Sequence, residues 1–109
     1  MEAEGRSGEA VRRAPTPQPI ADLLDLFCRR WSLRILWELR DGGSMTSRAL
    51  RAACGGVSAG VLQQRLDELR AADIVTVNGG YRLTPEGLDL LARMAPLEEW
   101  AEAWARRRD

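Results

Sequence analysis

Histidine and lysine are both missing from this 109-residue sequence. Without histidine there is no Ser-His-Asp or Cys-His nucleophile and no histidine-bound metal. Cysteine occurs only at Cys28 and Cys54, too few for a disulfide framework and without zinc spacing, so both read as small, half-buried thiols. No glycine-rich phosphate loop follows a strand, and no paired carboxylates belong to a clear pocket, so neither an enzyme nor a cofactor is expected. No apolar run approaches the roughly 18 residues of a membrane span. The opening MEAEGRSGEAVRRAPTPQP also lacks the apolar centre of a secretory signal, and a cytoplasmic location is expected.

What is present fits a soluble globular protein: 45% of residues are apolar and 29% charged. The length suits one domain, near the size where a second subunit adds useful stability. All sixteen basic residues are arginine, the better fork for phosphate and guanine. The formal charge sums to zero but is unevenly placed. Residues 29–70 hold arginines 29, 30, 34, 40, 48, 51, 65 and 70 against acids 38, 41, 67 and 68, a local excess of four positive charges. Residues 73–105 carry two arginines against six acids. Local patches set the field that a polyanion meets, so the middle third is the candidate surface.

Residues 1–19, rich in Gly, Pro, Ala and charge, read as a disordered arm. After Pro19, the spacing of Ile20, Leu23, Leu24, Phe27 and Trp31 predicts an amphipathic helix. WSLRILWELR continues as helix with Leu36 and Leu39, and Gly42-Gly43 stops it. Ser44 or Thr46 caps a short helix, TSRALRAAC, with Leu50 and Ala53 inward. A CGG turn leads to Ser58, which caps a helix over residues 58–72. There Leu62, Leu66 and Leu69 share one face, Val61 flanks them, and Gly60, Gln63, Gln64, Asp67 and Ala71 lie opposite.

Beyond Asp73 the period changes to alternation: IVTV, the turn NGG and then YRL predict a hairpin with asparagine-glycine at its corner. Thr84-Pro85-Glu86 opens the last helix, striped by Leu91, Met94, Leu97, Ala101 and Trp104. Helix, helix, short helix, turn, helix, hairpin, helix is the order of a winged helix-turn-helix. The expected fold is therefore mainly α with a small β-hairpin wing, occupying residues 20–109 including the C-terminal helix. With no sheet larger than the hairpin, the leucine faces must pack mainly on each other.

RRWSLRILWEL, GGVSAGVLQQRLDELRAADIV, YRLTPEGLDLL and a terminal helix ending in tryptophan together resemble the HxlR-type winged helix-turn-helix transcriptional regulators. The resemblance covers about residues 20–105. Arg30-Trp31 stands at a Lys-Trp position, and Tyr81-Arg82-Leu83-Thr84 with Gly87 at a Tyr-x-Leu-Thr-x-x-Gly element. It implies a homodimer, joined through the first and last helices, that binds a pseudo-palindromic operator and acts as a repressor. Thr46-Ser47 replaces an Arg-Phe pair of the family, and the wing is short. Asp73 replaces a glycine, which is tolerable because aspartate enters the left-handed region readily. Gln18-Pro19 stands where some members carry a sensing cysteine, so that role is not carried over.

In a helix-turn-helix the start of the second helix reaches base edges in the major groove. That start exposes Ala59, Gly60, Gln63 and Gln64. Glutamine can pair with adenine, the methyl of Ala59 suits thymine, and small residues at 59 and 60 allow close approach. Ser58 is both cap and phosphate donor. Arg48, Arg51 and Arg65 are candidate phosphate contacts, although Arg65 can equally pair with an acid of its own subunit. Asn78 and Arg82 are the wing's candidates. Asp67 would repel phosphate and confines the contact zone to the first two turns.

Ile20, Leu23, Leu24 and Phe27 on the first helix, with Leu97, Trp100 and Trp104 on the last, are the candidate dimer interface. The alternative for the tryptophans is an aromatic-lined pocket between the terminal helices for a small-molecule effector of unspecified chemistry. The competing reading of the whole chain is a winged-helix protein-interaction or ligand-sensing module with little DNA affinity, suggested by the short wing and the acidic C-terminal third.

Overall fold

The computed structural model describes residues 18–108. The expected arm lies, as far as residue 17, outside the described residues. Helices α1 (Gln18–Cys28), α2 (Ser32–Glu38), α3 (Ser47–Cys54) and α4 (Ala59–Ala71) are followed by strands β1 (Val75–Val77) and β2 (Tyr81–Leu83) and by helix α5 (Pro85–Arg108). The chain divides between Arg30 and Trp31 into two units.

In the first unit, α1 is helical from the first described residue, Gln18, and so includes Pro19, which precedes the expected helix. No residue of α1 is buried. Ile20 and Leu24 are 50% and 52% exposed, and Leu23 and Phe27 are intermediate.

In the second unit the expected helix is interrupted. The apolar spacing carried one helix through Trp31, but Trp31 has φ 81° and stands as the N-cap of α2. A bulky residue rarely adopts this left-handed conformation, and helical periodicity is blind to it. From there α2 turns Ile35 and Leu36 into the core, and Leu39 follows at its end. Ser32 is fully buried, and its hydroxyl has no partner among the described residues.

Thr46, rather than Ser44, caps α3 by accepting from Ala49 N at 3.0 Å. Helix α3 contributes Leu50 and Cys54 to the core, while Ala53 is only intermediate. Gly55, in the left-handed region at φ 65°, closes α3. Val57 is buried in the turn that follows. Ser58 caps α4 as expected, accepting from Val61 N at 3.2 Å.

Along α4 the leucine stripe is buried as the period dictates: Leu62 is 2% exposed, Leu66 and Leu69 0%. Each such side chain stabilises the fold by about 1.5–3 kcal/mol on burial. Asp73 then takes φ 62°, the left-handed geometry expected of it, which aspartate enters readily.

The hairpin pairs Val75 with Leu83, Thr76 with Arg82 and Val77 with Tyr81. Its three-residue loop keeps Asn78 out of the left-handed region; Gly79 (φ 69°) and Gly80 (φ 132°) supply the positive torsions. The sheet gains a partner that the sequence reading did not foresee. Met45, in the segment before α3, bridges Tyr81 through N···O contacts of 2.9 and 2.7 Å in the two directions. Gly80 lies against this bridge, its α-carbon facing Ser44 and Met45.

Thr84 fastens the last helix. Its hydroxyl donates to Asp73 O at 2.6 Å and lies 3.2 Å from Ile74 O, and it accepts from Gly87 N at 2.9 Å. Gly87 is buried against the Ile74 carbonyl with no space for a side chain. Glu86 in the first turn and Arg106, Arg107 and Arg108 in the last suit the helix dipole. Pro96 is inside α5 and cannot donate to the carbonyl one turn back. Beyond it Leu97, Trp100 and Trp104 are 61%, 56% and 42% exposed.

Candidate nucleic-acid interface

The side of α4 opposite the leucines is open. Ala59, Gly60, Gln63, Gln64 and Asp67 are all exposed, because a rod that buries every third or fourth residue must turn the others outward. Nothing lies within 4 Å of the position a Gly60 side chain would take. Gly60 is therefore not required by the packing of this chain, although glycine costs a helix about 1 kcal/mol relative to alanine.

The two glutamines differ. Gln64 makes no hydrogen bond among the described residues, so both ends of its carboxamide are available. Gln63 donates from Nε2 to Asp67 Oδ1 at 2.9 Å, and the same nitrogen lies 3.5 Å from the Tyr81 hydroxyl. The first partner was visible in the sequence as an i, i+4 Gln-Asp pair. The second comes from the hairpin, and nothing local to either segment announces it.

Helices α3 and α4 bring most of the expected positive and polar groups together. Ser47, Arg48, Arg51, Ala59 and Gln63 border one hollow of about 240 Å³. Arg48 and Arg51 also border a second, of about 560 Å³, with Gly55, Gly56 and Ser58. The start of α4 offers unpaired backbone N–H groups and the positive end of the helix dipole, both suited to an anion.

The arginines are not equivalent. Arg48 has no hydrogen bond or ion pair among the described residues. Arg51 donates from Nε to Val57 O at 3.1 Å, which braces the turn between the helices. Arg65 is held by Glu68 at 3.0 and 3.1 Å, with 14% of its side chain exposed. The intrasubunit pairing anticipated for Arg65 is thus the arrangement found.

On the wing, Asn78 is exposed at the loop tip. Arg82 is half-buried on β2, and its Nε has no partner among the described residues. The start of β2 is tied to α4 through Tyr81 and Gln63.

Cys54 lies behind this surface at the end of α3. Burial pushes its thiol above the usual range, the Glu38 carboxylate adds to the shift, and Arg34 opposes it. Arg34 links α2 to α3, donating to Glu38 Oε2 and to Ala53 O, each at 3.0 Å. Cys28 is exposed. No group of His, Cys, Asp and Glu among the described residues could hold a metal ion, and no helix among them is long and apolar enough to cross a membrane.

The tryptophans fill no core. Trp37 is 48% exposed with the Arg40 guanidinium 3.9 Å from its ring centre. Trp100 and Trp104 stack on each other with centroids 5.9 Å apart, and Arg108 covers Trp104 at 4.6 Å. Between α2 and α5 runs an open, mainly apolar groove of about 860 Å³, lined by Leu33, Trp37, Leu88, Leu91, Met94 and Leu97 among others.

Comparison with known proteins agrees with this geometry. Residues 26–109 match the model of a family described as HxlR-like helix-turn-helix. The quinone-bound form of YodB from B. subtilis is similar, with a TM-score of 0.72 and 27% identity over 78% of this chain and 97% of that one. A protein from Enterococcus faecalis V583, assigned to the MarR family of transcriptional regulators, gives 0.73 and 27% over 85% and 92%. A Thermoplasma volcanium GSS1 protein, assigned to the HxlR family of transcriptional factors, shares the fold at 21% identity, with 0.65 over 77% and 82%. The sequence matches no curated protein.

Proposed function

The chain belongs to the HxlR-like helix-turn-helix family and is a DNA-binding transcriptional regulator, and we propose that it works as a homodimeric repressor of a pseudo-palindromic operator. Each α4 enters the major groove of one half-site. The observation that carries this reading is the division of α4 into a leucine face wholly inside the subunit and a face of small residues and glutamines open to solvent. Gly60 and Ala59 let the helix approach the groove floor, and Gln64 has both donor and acceptor for an adenine. Arg48 and the N–H groups at Ser58 take phosphates on one side, and the wing's Asn78 and Arg82 supply a small second set.

The dimer rests on the terminal helices. Exposed apolar side chains on one element mark contact surfaces, and α1 buries none of its own. Leu97, Trp100 and Trp104 are the matching set on α5. The α2–α5 groove, for its apolar lining, is the place proposed for a small-molecule effector; that there is an effector at all is supported by the quinone-bound state of YodB. An effector there would act by changing the spacing of the two α4 helices.

The test is a titration against duplexes from the protein's own upstream region at several salt concentrations. Specific binding whose log affinity falls linearly with log salt supports the reading. Uniform absence of binding favours an interaction or ligand-sensing module instead.

A further inference from the structure

Gln63 does not present a free carboxamide to solvent. Asp67, one turn along α4, is a carboxylate and can only accept, so the amino nitrogen of Gln63 is the end that faces it, at 2.9 Å. The other proton on that nitrogen has the Tyr81 hydroxyl oxygen within 3.5 Å. Both donors of Gln63 are thereby turned toward its own subunit. Oε1, which can only accept, has no hydrogen-bond partner among the described residues.

We propose that Gln63 reads its base pair as a one-sided acceptor, selecting an exocyclic amino group and therefore adenine or cytosine, and rejecting guanine and thymine. The proposal rests on the reading of α4 as the major-groove helix. An adenine-specific glutamine needs two bonds: Oε1 accepting from N6, and Nε2 donating to N7. With Nε2 committed to Asp67, N7 receives nothing from residue 63, and adenine loses its advantage over cytosine, whose N4 amino group is an equally good donor. Guanine presents O6 and N7, and thymine presents O4; each sets one acceptor against another. A charged carboxylate is also a stronger acceptor than the neutral N7, so the internal bond survives the approach of an adenine. Gln64 has no such partner. Two adjacent glutamines thus carry different codes: residue 64 specifies one base and residue 63 tolerates two.

Selection of the full-length protein and its variants on randomised operator duplexes tests this. Gln63→Ala flattens one position in each half-site and so identifies the base that residue 63 faces. There the unaltered protein holds adenine and cytosine within about threefold of each other and disfavours guanine and thymine about tenfold or more. Asp67→Ala releases Nε2 and turns that position to adenine, by about tenfold over cytosine. Asp67→Asn keeps an accepting oxygen and with it the two-base tolerance. Both Asp67 variants lose a negative charge and bind all sequences somewhat more tightly, which leaves the relative profile readable.

Adenine alone, guanine or thymine at that position in the unaltered protein, or a profile that Asp67→Ala does not change, overturns the proposal while leaving α4 as the DNA-reading helix. The same holds if Gln64→Ala flattens a position and Gln63→Ala flattens none. If neither variant flattens any position, the reading of α4 falls as well.

Discussion

Gly87 lies so close beneath the carbonyl oxygen of Ile74 that a methyl group on it would collide with that oxygen. The first turn of α5 is thereby seated on the chain that leaves α4, and Thr84 locks it there from the other side. Gly87→Ala is expected to destabilise the fold by roughly 3 kcal/mol, at the upper end of overpacking changes because the obstacle is backbone. The midpoint of urea unfolding, at unchanged slope, measures it.

Gly60 is the opposite case. Its missing side chain has open space around it, so Gly60→Ala should raise stability by about 1 kcal/mol. The same methyl group would stand between α4 and the groove floor. The expected result is a protein that unfolds later and binds its operator more weakly, and a gain in both would contradict the close approach of α4 to DNA.

Arg48→Ala should weaken binding evenly across sequences and reduce the slope of log affinity against log salt by about one unit. Arg65→Ala should change that slope much less, because Glu68 already holds its guanidinium. Equal salt slopes for the two variants would place the phosphate contacts elsewhere.

The two thiols should separate cleanly under a thiol reagent. Cys28 is exposed and reacts in the native protein, whereas Cys54 is buried and reacts only on unfolding. The raised folded-state pKa of Cys54 also has a sign. The contribution is fully present below the unfolded thiol's pKa of about 8.5 and is lost as pH rises through the higher folded value. Cys54→Ala should remove that alkaline component from the stability profile, as followed by denaturant midpoints between neutral and alkaline pH.

Trp104→Ala removes one ring of the exposed Trp100–Trp104 stack. If the terminal helices join two subunits, the variant should dissociate at concentrations where the unaltered protein is dimeric, as read by sedimentation. An unaltered protein that stays monomeric at every concentration would defeat the dimer.

Most of the fold was legible because burial follows a period. The stripe of Leu62, Leu66 and Leu69, the caps at Thr46 and Ser58, and the left-handed Asp73 each come from a local rule with one solution. Trp31 was not legible, since its torsion breaks a helix that the apolar spacing continues. The Met45–Tyr81 bridge was not legible either, because single-residue pairing leaves no alternation to detect.

The site divides in the same way. Which face of α4 is open could be read from the leucines, and Arg48 beside it from the sequence order. How its groups are occupied could not. Gln63 was expected on the same footing as Gln64, and for Arg65 the sequence left phosphate contact and intrasubunit pairing open; each is engaged by a neighbour within its own subunit. The Gln63–Asp67 and Arg65–Glu68 spacings permit these bonds without requiring them, and Tyr81 reaches Gln63 only through the tertiary fold.

The paired hydrogen bonds between Met45 and Tyr81 have a mechanical consequence. They rivet the hairpin to the stretch that launches α3, and the Tyr81 hydroxyl extends the same linkage to Gln63. The hairpin, the segment before α3 and helix α4 are therefore tied to one another by hydrogen bonds. An effector acting as proposed is therefore expected to move the hairpin and α4 together rather than one against the other.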